Sequence, residues 1–485
     1  METIPLEELI SGMPAGRRVP AEEVARAGCP ALIVLDDDPT GTQSVAALPV
    51  ITSWHVSDLA WALNTGAPAV YVMTNSRSLS PGDAERVNRE VVANGLDAAR
   101  RTGRAAAFVS RSDSTLRGHF PLEPNTISSE LAKDGRRVDG VVIVPAFPDA
   151  GRITIGSTHY AGNPTDGYLP VGQTEFARDA SFGYQASYLP DWVAEKSNGA
   201  WPAEAVLRVD LKDIRSDLDA VVTTLRRARD RRPIIVDCAE ENDLRLFSLA
   251  LARAEADGQN FICRVGPPFV RARVGQEEHA PLSAEESGPA PNAARSEAAG
   301  GLIVVGSHVG LTRRQVDVLH ERQEIAELVI DVPTVLDPER RGAHLRDIVG
   351  ASAEQLLHGS VVVRTSNRVV TGADGDDSLR IAREVSAALV DAVQQILATR
   401  APRFVIAKGG ITSSDVASKG LGIRHATVRG PMLPGIVSMW EPADGPARGI
   451  PYIVFAGNVG SDDSLADVVE KLRLAGATRR LRTGA

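Results

Sequence analysis

Short apolar runs rich in valine and isoleucine recur along the chain, and most are too short for anything but strands. In the first half they are "ALIVL" (31–35), "AVYVM" (69–73), "AAFVS" (106–110), "GVVIV" (140–144), "PIIVD" (233–237) and "FICRV" (261–265). Stretches of helical period, such as 83–102 and 213–230, lie between several of them. A strand with one wet face alternates apolar and polar side chains. Near-continuous apolar runs imply burial on both faces, as in a parallel sheet with helices on each side. The alternation restarts with "GLIVVG" (301–306), "LVIDV" (328–332), "VVVRT" (361–365), "FVIAKGG" (404–410), "GIVSMW" (435–440) and "YIVFAGN" (452–458). Helical patterns at 311–326, 376–399 and 462–475 separate some of these runs. The pattern predicts an α/β fold of two domains, each a mostly parallel sheet flanked by helices.

Residues 275–300 are rich in Ala, Pro, Ser and Glu and have no apolar period, so they read as a linker. The domains then run 1–274 and 301–485. The segment 153–205 also lacks a clear period and reads as an insertion beside the first domain's site.

Composition narrows the chemistry. Net charge is −9, so a basic field for nucleic acid is excluded and an anionic ligand must be held by local arginines. No apolar run reaches the ~20 residues of a membrane span. The N-terminus has acidic residues early and no apolar core, unlike a signal peptide. Cys29, Cys238 and Cys263 are far apart, without metal-type spacing. A reduced, cytoplasmic setting without membrane contact is expected. Homo-oligomerisation is left open.

In open parallel sheets, ligands bind beyond the carboxyl ends of the strands. Four such ends in the first half read "DDDPTGT" after 35, "TNSRSLS" after 73, "SRSDSTLRGH" from 110 and "PAFPDAGR" from 145. They carry Arg77, Arg111, Arg117 and Arg152, whose guanidinium forks match carboxylate or phosphate. Asp36, Asp37 and Asp38 alternate about a strand terminus. One suits a general base for a substrate hydroxyl, and another suits a hydroxyl or a magnesium ion. The plain alternative for any one of them is a helix cap or an Asx turn. Thr40 and Gly41 supply a turn and close backbone approach.

The second half has neither a Walker A pattern nor a G-x-G-x-x-G fingerprint. It has three glycine-rich turns after strands: "VGSHVGLT" (305–312), "AKGGITSSD" (407–415) and "FAGNVGSDDSL" (455–465). Backbone N–H groups at such turns can cradle phosphate. Lys408, one of only six lysines, ends the strand before the double glycine.

The runs "DDDPTGT", "SDSTLRGH", "PAFPDAGRIT", "KGGITSSD" and "GNVGSDDSL", in this order, resemble the four-carbon acid sugar kinase family, over about 30–265 and 300–475. The resemblance implies ATP-dependent phosphorylation of threonate, erythronate or oxo-tetronate, with the acid on the N-terminal domain and ATP on the C-terminal one. ATP and Mg²⁺ are the cofactors it implies. It puts Asp37, Asp38, Thr40 and Gly41 in the first motif and Asp113, Ser114, Thr115, Arg117 and Gly118 in the second. Ser307, Gly409, Gly410, Thr412 and Gly457 match the nucleotide loops, with Lys408, Ile411, Ser413, Asn458 and Gly460 beside them. The expected catalytic set is Asp37 as hydroxyl-activating base, Asp113 and Arg117. Substrate binding is expected from Asp38, Thr40, Arg77, Arg111, Ser114 and Arg152. No metal ligand is assigned. Relatives often carry lysine where Arg111 stands and an acidic residue where Ile411 stands.

Two other readings compete. "LDDDPT" fits the start of a haloacid-dehalogenase phosphatase, with Asp36 as the phospho-accepting nucleophile. A non-catalytic sugar-acid-binding protein also suits two α/β lobes.

Overall fold

The computed structural model describes residues 3–290, 296–307, 309–366 and 375–483. The chain divides into two compact units, residues 1–48 with 54–278 and residues 49–53 with 279–485. Both are α/β, as the periodicity predicts.

The first unit holds seven parallel strands. Their order is Ala69–Met73, Ala31–Asp36, Ala106–Arg111, Phe261–Val265, Gly140–Val144, Arg232–Val236 and Leu207–Val209. The short edge strand escapes the sequence pattern because Arg208 interrupts its two apolar residues. From Ala31–Asp36 the chain first adds a strand on one side and then one on the other. That reversal opens a crevice at the carboxyl ends, where the aspartate run emerges. Ile33, Val34, Val142, Ile143, Ile234 and Ile235 are fully buried, which accounts for the unbroken apolar runs.

The helix Pro81–Thr102 illustrates how local sequence fixes an element. The Ser80 hydroxyl accepts from the Asp83 N–H at 3.2 Å, Pro81 opens the first turn, and Gly103 ends the helix at φ +66°. Gly95 lets the helix lie close on the sheet, since a Cβ there would come within 2.9 Å of Phe108 and 3.0 Å of Ile33.

The segment 153–205 is ordered structure. It contributes to a three-stranded antiparallel sheet, Arg152–Ile155, Thr158–Asn163 and Gly167–Pro170, followed later by the helix Leu189–Lys196. Strands this short, broken by polar residues, leave no readable period. Trp192 is fully buried and stacks on Phe120 with ring centroids 4.6 Å apart. Their cluster includes Val141 and Ile143 of the main sheet, so the segment shares the unit's core.

The second unit orders its strands Ala326–Ile330, Val361–Thr365, Leu302–Val305, Val405–Lys408, Tyr452–Phe455, Ile436–Pro442 and His425–Leu433. The first five are parallel, and the last two are antiparallel additions. Residues 49–53 group with this unit, where the Thr52 N–H donates to the Arg424 carbonyl at 3.2 Å. The described part of 275–300, read from composition as a linker, is bonded in from 279 onward. Leu282 is buried, its N–H donating to the Pro431 carbonyl at 2.9 Å, and the Ala299 N–H donates to the Leu356 carbonyl at 2.7 Å. Among the described residues, no helix is long and apolar enough to cross a membrane.

Truncating Trp192 removes the largest side chain from the core shared by the sheet and the 153–205 segment. Trp192→Ala should lower the stability of the first unit by about 3–5 kcal/mol, as large-to-small core changes do. Urea unfolding followed by circular dichroism measures it. A loss below about 1 kcal/mol would mean that this segment is not part of the core.

Candidate functional sites

The aspartate run sorts into three environments. Asp36 and Arg111 end adjacent parallel strands in register and form an ion pair with both side chains buried. Gly41 packs on that pair, and a Cβ there would collide with the Asp36 carboxylate and the Arg111 Nε. This is the close approach its motif position suggests. Asp36 is 0% exposed, so it offers no oxygen to an incoming phosphoryl group. The phosphatase reading has no accessible nucleophile there.

Asp37 is 2% exposed and chelates Arg77, with Nε at 3.1 Å and Nη2 at 2.7 Å. It also lies 3.2 Å from Arg111. A carboxylate shared by two guanidiniums serves to hold them. Asp38 caps the turn Pro39–Ser44, its Oδ1 accepting from the Thr40 N–H at 2.9 Å and the Thr40 hydroxyl at 2.6 Å. Its Oδ2 is 3.6 Å from Arg77 Nη1, and its side chain keeps 20% exposure. Burial would raise this carboxyl, yet Arg77, Arg111 and the Thr40 bonds bring it below its ordinary value.

Across from Asp38, the second motif supplies Asp113. Its Oδ2 takes the Arg117 Nε at 2.7 Å and the Thr115 hydroxyl, and its Oδ1 lies 4.0 Å from Arg77 Nη1. Burial opposes ionisation, but Arg77 and Arg117 hold the group well below the usual carboxylate range. Arg77 Nη1 thus faces one oxygen of Asp38 and one of Asp113, each beyond direct hydrogen-bond distance. Arg117 reaches Asp179 at 3.7 Å. Arg152 lies near Asp113, its Nε buried without a hydrogen-bond partner. The nine residues expected in the first half to act on substrate or catalysis therefore lie at one set of strand ends, with the Ser114 carbonyl bonded to His159.

Sequence reasoning missed the residues that hold the second motif. The His159 ring nitrogen Nε2 contacts the Ser114 carbonyl at 2.7 Å, and the Tyr184 hydroxyl donates to the Thr115 carbonyl at 2.7 Å. The Arg264 guanidinium donates to the Arg117 carbonyl at 3.3 Å and lies over the Trp192 ring at 5.1 Å. Glu123 accepts from Ser76 and Ser110, and burial with Asp37 nearby pushes its carboxyl up to about 7. A charged residue inside the apolar run "FICRV" was the one available signal for Arg264.

In the second unit the three glycine turns converge at the ends of Leu302–Val305, Val405–Lys408 and Tyr452–Phe455. The Thr312 hydroxyl donates to the Gly457 carbonyl at 2.9 Å and to Ser307 Oγ at 3.2 Å. A Cβ on Gly457 would approach Ser307 Oγ to 2.5 Å, and one on Gly306 would collide with Thr412. Gly409 has φ +121°, a backbone state that side chains disfavour, and opens the helix Gly410–Asp415. Gly460, at φ +85°, packs against Ser464. Ser413 is buried and bonds the Ala407 carbonyl at 2.8 Å. Asn458 is exposed on the third turn. The Ile411 side chain lies outside the described residues. Beside the turns is a cavity of about 610 Å³ whose lining includes Val305, Ser307, Thr312 and Val316. Its far wall carries Glu327, paired with Arg364 at 2.8 Å and His320 at 3.0 Å. The turns and the cavity together can take a phosphate chain and the body of a nucleotide.

Lys408 does not point outward. It is fully buried, donates to the Ala456 carbonyl at 2.6 Å and lies 3.7 Å from the Phe455 ring centroid. It therefore ties the second and third turns together from beneath. Burial pulls its ammonium down from 10.5 to about 7. The folded pKa lies below the unfolded one, so the unfolded chain binds more protons between these values and stability rises with pH. The stability difference between wild type and Lys408→Met should therefore shift in favour of wild type from pH 7 toward pH 10.5. Urea midpoints at several pH values measure it, and a flat difference would place the ammonium in water.

A family model described as a sugar-binding N-terminal domain matches residues 32–273, and one described as a nucleotide-binding C-terminal domain matches residues 302–465. A D-threonate kinase from Cupriavidus necator is 29% identical over 418 residues, covering 82% of this chain and 86% of that protein. A D-erythronate kinase from Heliobacterium modesticaldum is 24% identical over 299 residues, covering 61% of this chain and 60% of that protein. A 3-oxo-isoapionate kinase from Paraburkholderia graminis is 30% identical over 161 residues, covering 30% of this chain and 34% of that protein. The matched part thus spans less than two thirds of the Heliobacterium and Paraburkholderia enzymes. Two solved structures share the fold. One is from Salmonella typhimurium LT2, with 17% identity and TM-score 0.63, covering 90% of this chain and 98% of that one. The other is from Haemophilus influenzae, with 16% identity and TM-score 0.60, covering 91% of this chain and 100% of that one. With both domain models matched in order and kinases of sugar acids among its relatives, the chain belongs to the four-carbon acid sugar kinase family.

Proposed function

We propose that the protein is an ATP-dependent kinase that phosphorylates the terminal hydroxyl of a four-carbon sugar acid of the threonate, erythronate or oxo-tetronate type. The observation that carries this reading is Arg77 Nη1 set between the Asp38 and Asp113 carboxylates, beside further arginines. Carboxylates that accept hydroxyl protons next to guanidiniums that bind an acid are what a polyhydroxy acid requires. The glycine turns and adjacent cavity of the second unit suit the triphosphate and body of ATP, without a lysine reaching into the cradle.

ATP supplies the phosphoryl group, and Mg²⁺ neutralises part of its charge. Among the described residues, no group of three or more His, Cys, Asp or Glu is arranged to hold a metal. Magnesium on a nucleotide needs only one or two carboxylates besides phosphate oxygens and water. Asp113, whose Oδ1 has Arg77 no nearer than 4.0 Å, is chemically suited to that, so the residues present fit the ion. A cytoplasmic setting agrees with ATP use and with three unpaired cysteines.

The base role, expected of Asp37 from the sequence, passes to Asp38 in this proposal. Asp37 is buried and committed to two arginines. Asp38 has one oxygen fixed by Thr40 and a second without a direct bond to a guanidinium. Asp113 orients Arg117 and takes a neighbouring hydroxyl. Catalysis then comes from positioning and charge neutralisation, as in other phosphoryl transfers.

Coupled ADP release with D-threonate, D-erythronate and oxo-tetronates tests the reaction. ADP should appear only when an acid is present. Phosphate release from a phosphorylated sugar acid in the absence of ATP would favour a phosphatase, and binding of an acid without ADP would favour a sensor. Asp38→Asn should lower kcat by about 10²–10⁴, the range for loss of a general base, while ATP still binds. A normal kcat in that variant would return the base role to another carboxylate.

A further inference from the structure

The segment 153–205 carries an aromatic ring on which two arginines meet. Phe176 lies on the turn Glu175–Arg178, and the guanidinium carbons of Arg117 and Arg152 each sit 5.5 Å from its ring centroid. Two like charges on one ring repel each other, and the ring face offsets only part of that. Their other surroundings are unequal. Arg117 has Asp113 at 2.7 Å and Asp179 at 3.7 Å. Arg152 makes no ion pair among the described residues; it donates to the Ala150 carbonyl, and its Nε is buried without a partner. Burial depresses its pKa, and Arg117 nearby adds to this while Asp113 only partly offsets it, so the guanidinium is partly desolvated and under-compensated. A partly desolvated guanidinium near a second one, with a buried donor that has no partner, suits a carboxylate.

We propose that the substrate carboxylate occupies the seat formed by Arg117 and Arg152, and that Phe176 is the positioning residue that sets their spacing and thereby the preference for an acid. This rests on the sugar-acid reading above and assigns the two ends of the substrate. The carboxylate end lies at Arg152 and Phe176. The reacting hydroxyl lies toward Arg77, Asp38 and Asp113, with Arg117 between the ends. Length and branching of the acid are then judged against a ring supplied by the 153–205 segment.

Calorimetric titration with D-threonate and D-erythronate, in the absence of ATP, tests the seat separately from the reaction. At least one acid should bind wild type, and its uncharged aldonamide should bind at least tenfold more weakly, as loss of a charged hydrogen bond implies. Arg152→Gln should weaken the acid by about 10- to 100-fold and abolish the preference over the amide. Phe176→Leu keeps an apolar residue but no quadrupole, and should weaken the acid by about three- to tenfold and narrow that preference, with Phe176→Tyr near wild type. ATP affinity, measured on the same samples, should be unchanged and reports folding. The proposal is overturned if both variants bind acid within twofold of wild type, if they lose acid and amide equally, or if neither acid binds wild type. Binding that follows this pattern without ADP formation would sink the kinase reading and leave the seat standing.

Discussion

The buried ion pair between Asp36 and Arg111 is the constraint from which the candidate site of the first unit follows. The two residues face each other at the ends of adjacent parallel strands, so the sheet register alone brings opposite charges together. Removing both from water is expensive, and the interior attraction repays this only with close geometry and further bonds. Those further bonds create the site. Arg111 also reaches the Asp38 carbonyl and Asp37, which fixes the chain just past the strand. Asp37 then grips Arg77, Arg77 approaches Asp38 and Asp113, and Asp113 grips Arg117. Positive and negative groups alternate through this chain, so each positions the next and no two like charges need share a contact. Three consecutive aspartates are tolerable because an arginine stands between their side chains.

The second unit solves a different problem. Phosphate is held best by backbone donors brought close, and glycine is the residue that permits it. Gly306, Gly409 and Gly457 leave room that Ser307, Thr312 and Thr412 partly line. Lys408 works below this surface, tying the second turn to the third. The two units differ accordingly, with charged side chains at the strand ends of the first and glycine backbone with hydroxyls at those of the second.

Much of this was legible in sequence. Apolar runs marked the long parallel strands because both faces of each sheet are covered. The polar strand ends marked the cluster of arginines and aspartates because an α/β sheet exposes its loops there. The split among the aspartates was not legible, because burial at a strand terminus depends on which neighbour strand ends beside it. Nor was the role of 153–205, whose Phe176, His159 and Tyr184 act through tertiary contacts far apart in sequence. Residues 275–300 looked like a linker because few of them are apolar; Leu282 anchors part of the segment in a core, with Ser287 and Ala290 also buried. Lys408 read as a residue of the nucleotide loops by position, and only burial shows its side chain turned inward.

The central claim is that the aspartates serve to hold arginines in a fixed chain of alternating charge. A double-mutant cycle between Asp37→Asn and Arg77→Gln, read as kcat/KM for the preferred acid, tests it most directly. If Asp37 acts through Arg77, the double variant should be little worse than either single one. The coupling would then be about 2–3 kcal/mol, at the upper end for residues in one charged network. Additive losses would contradict the account, since they would mean that Asp37 and Arg77 contribute to the reaction independently.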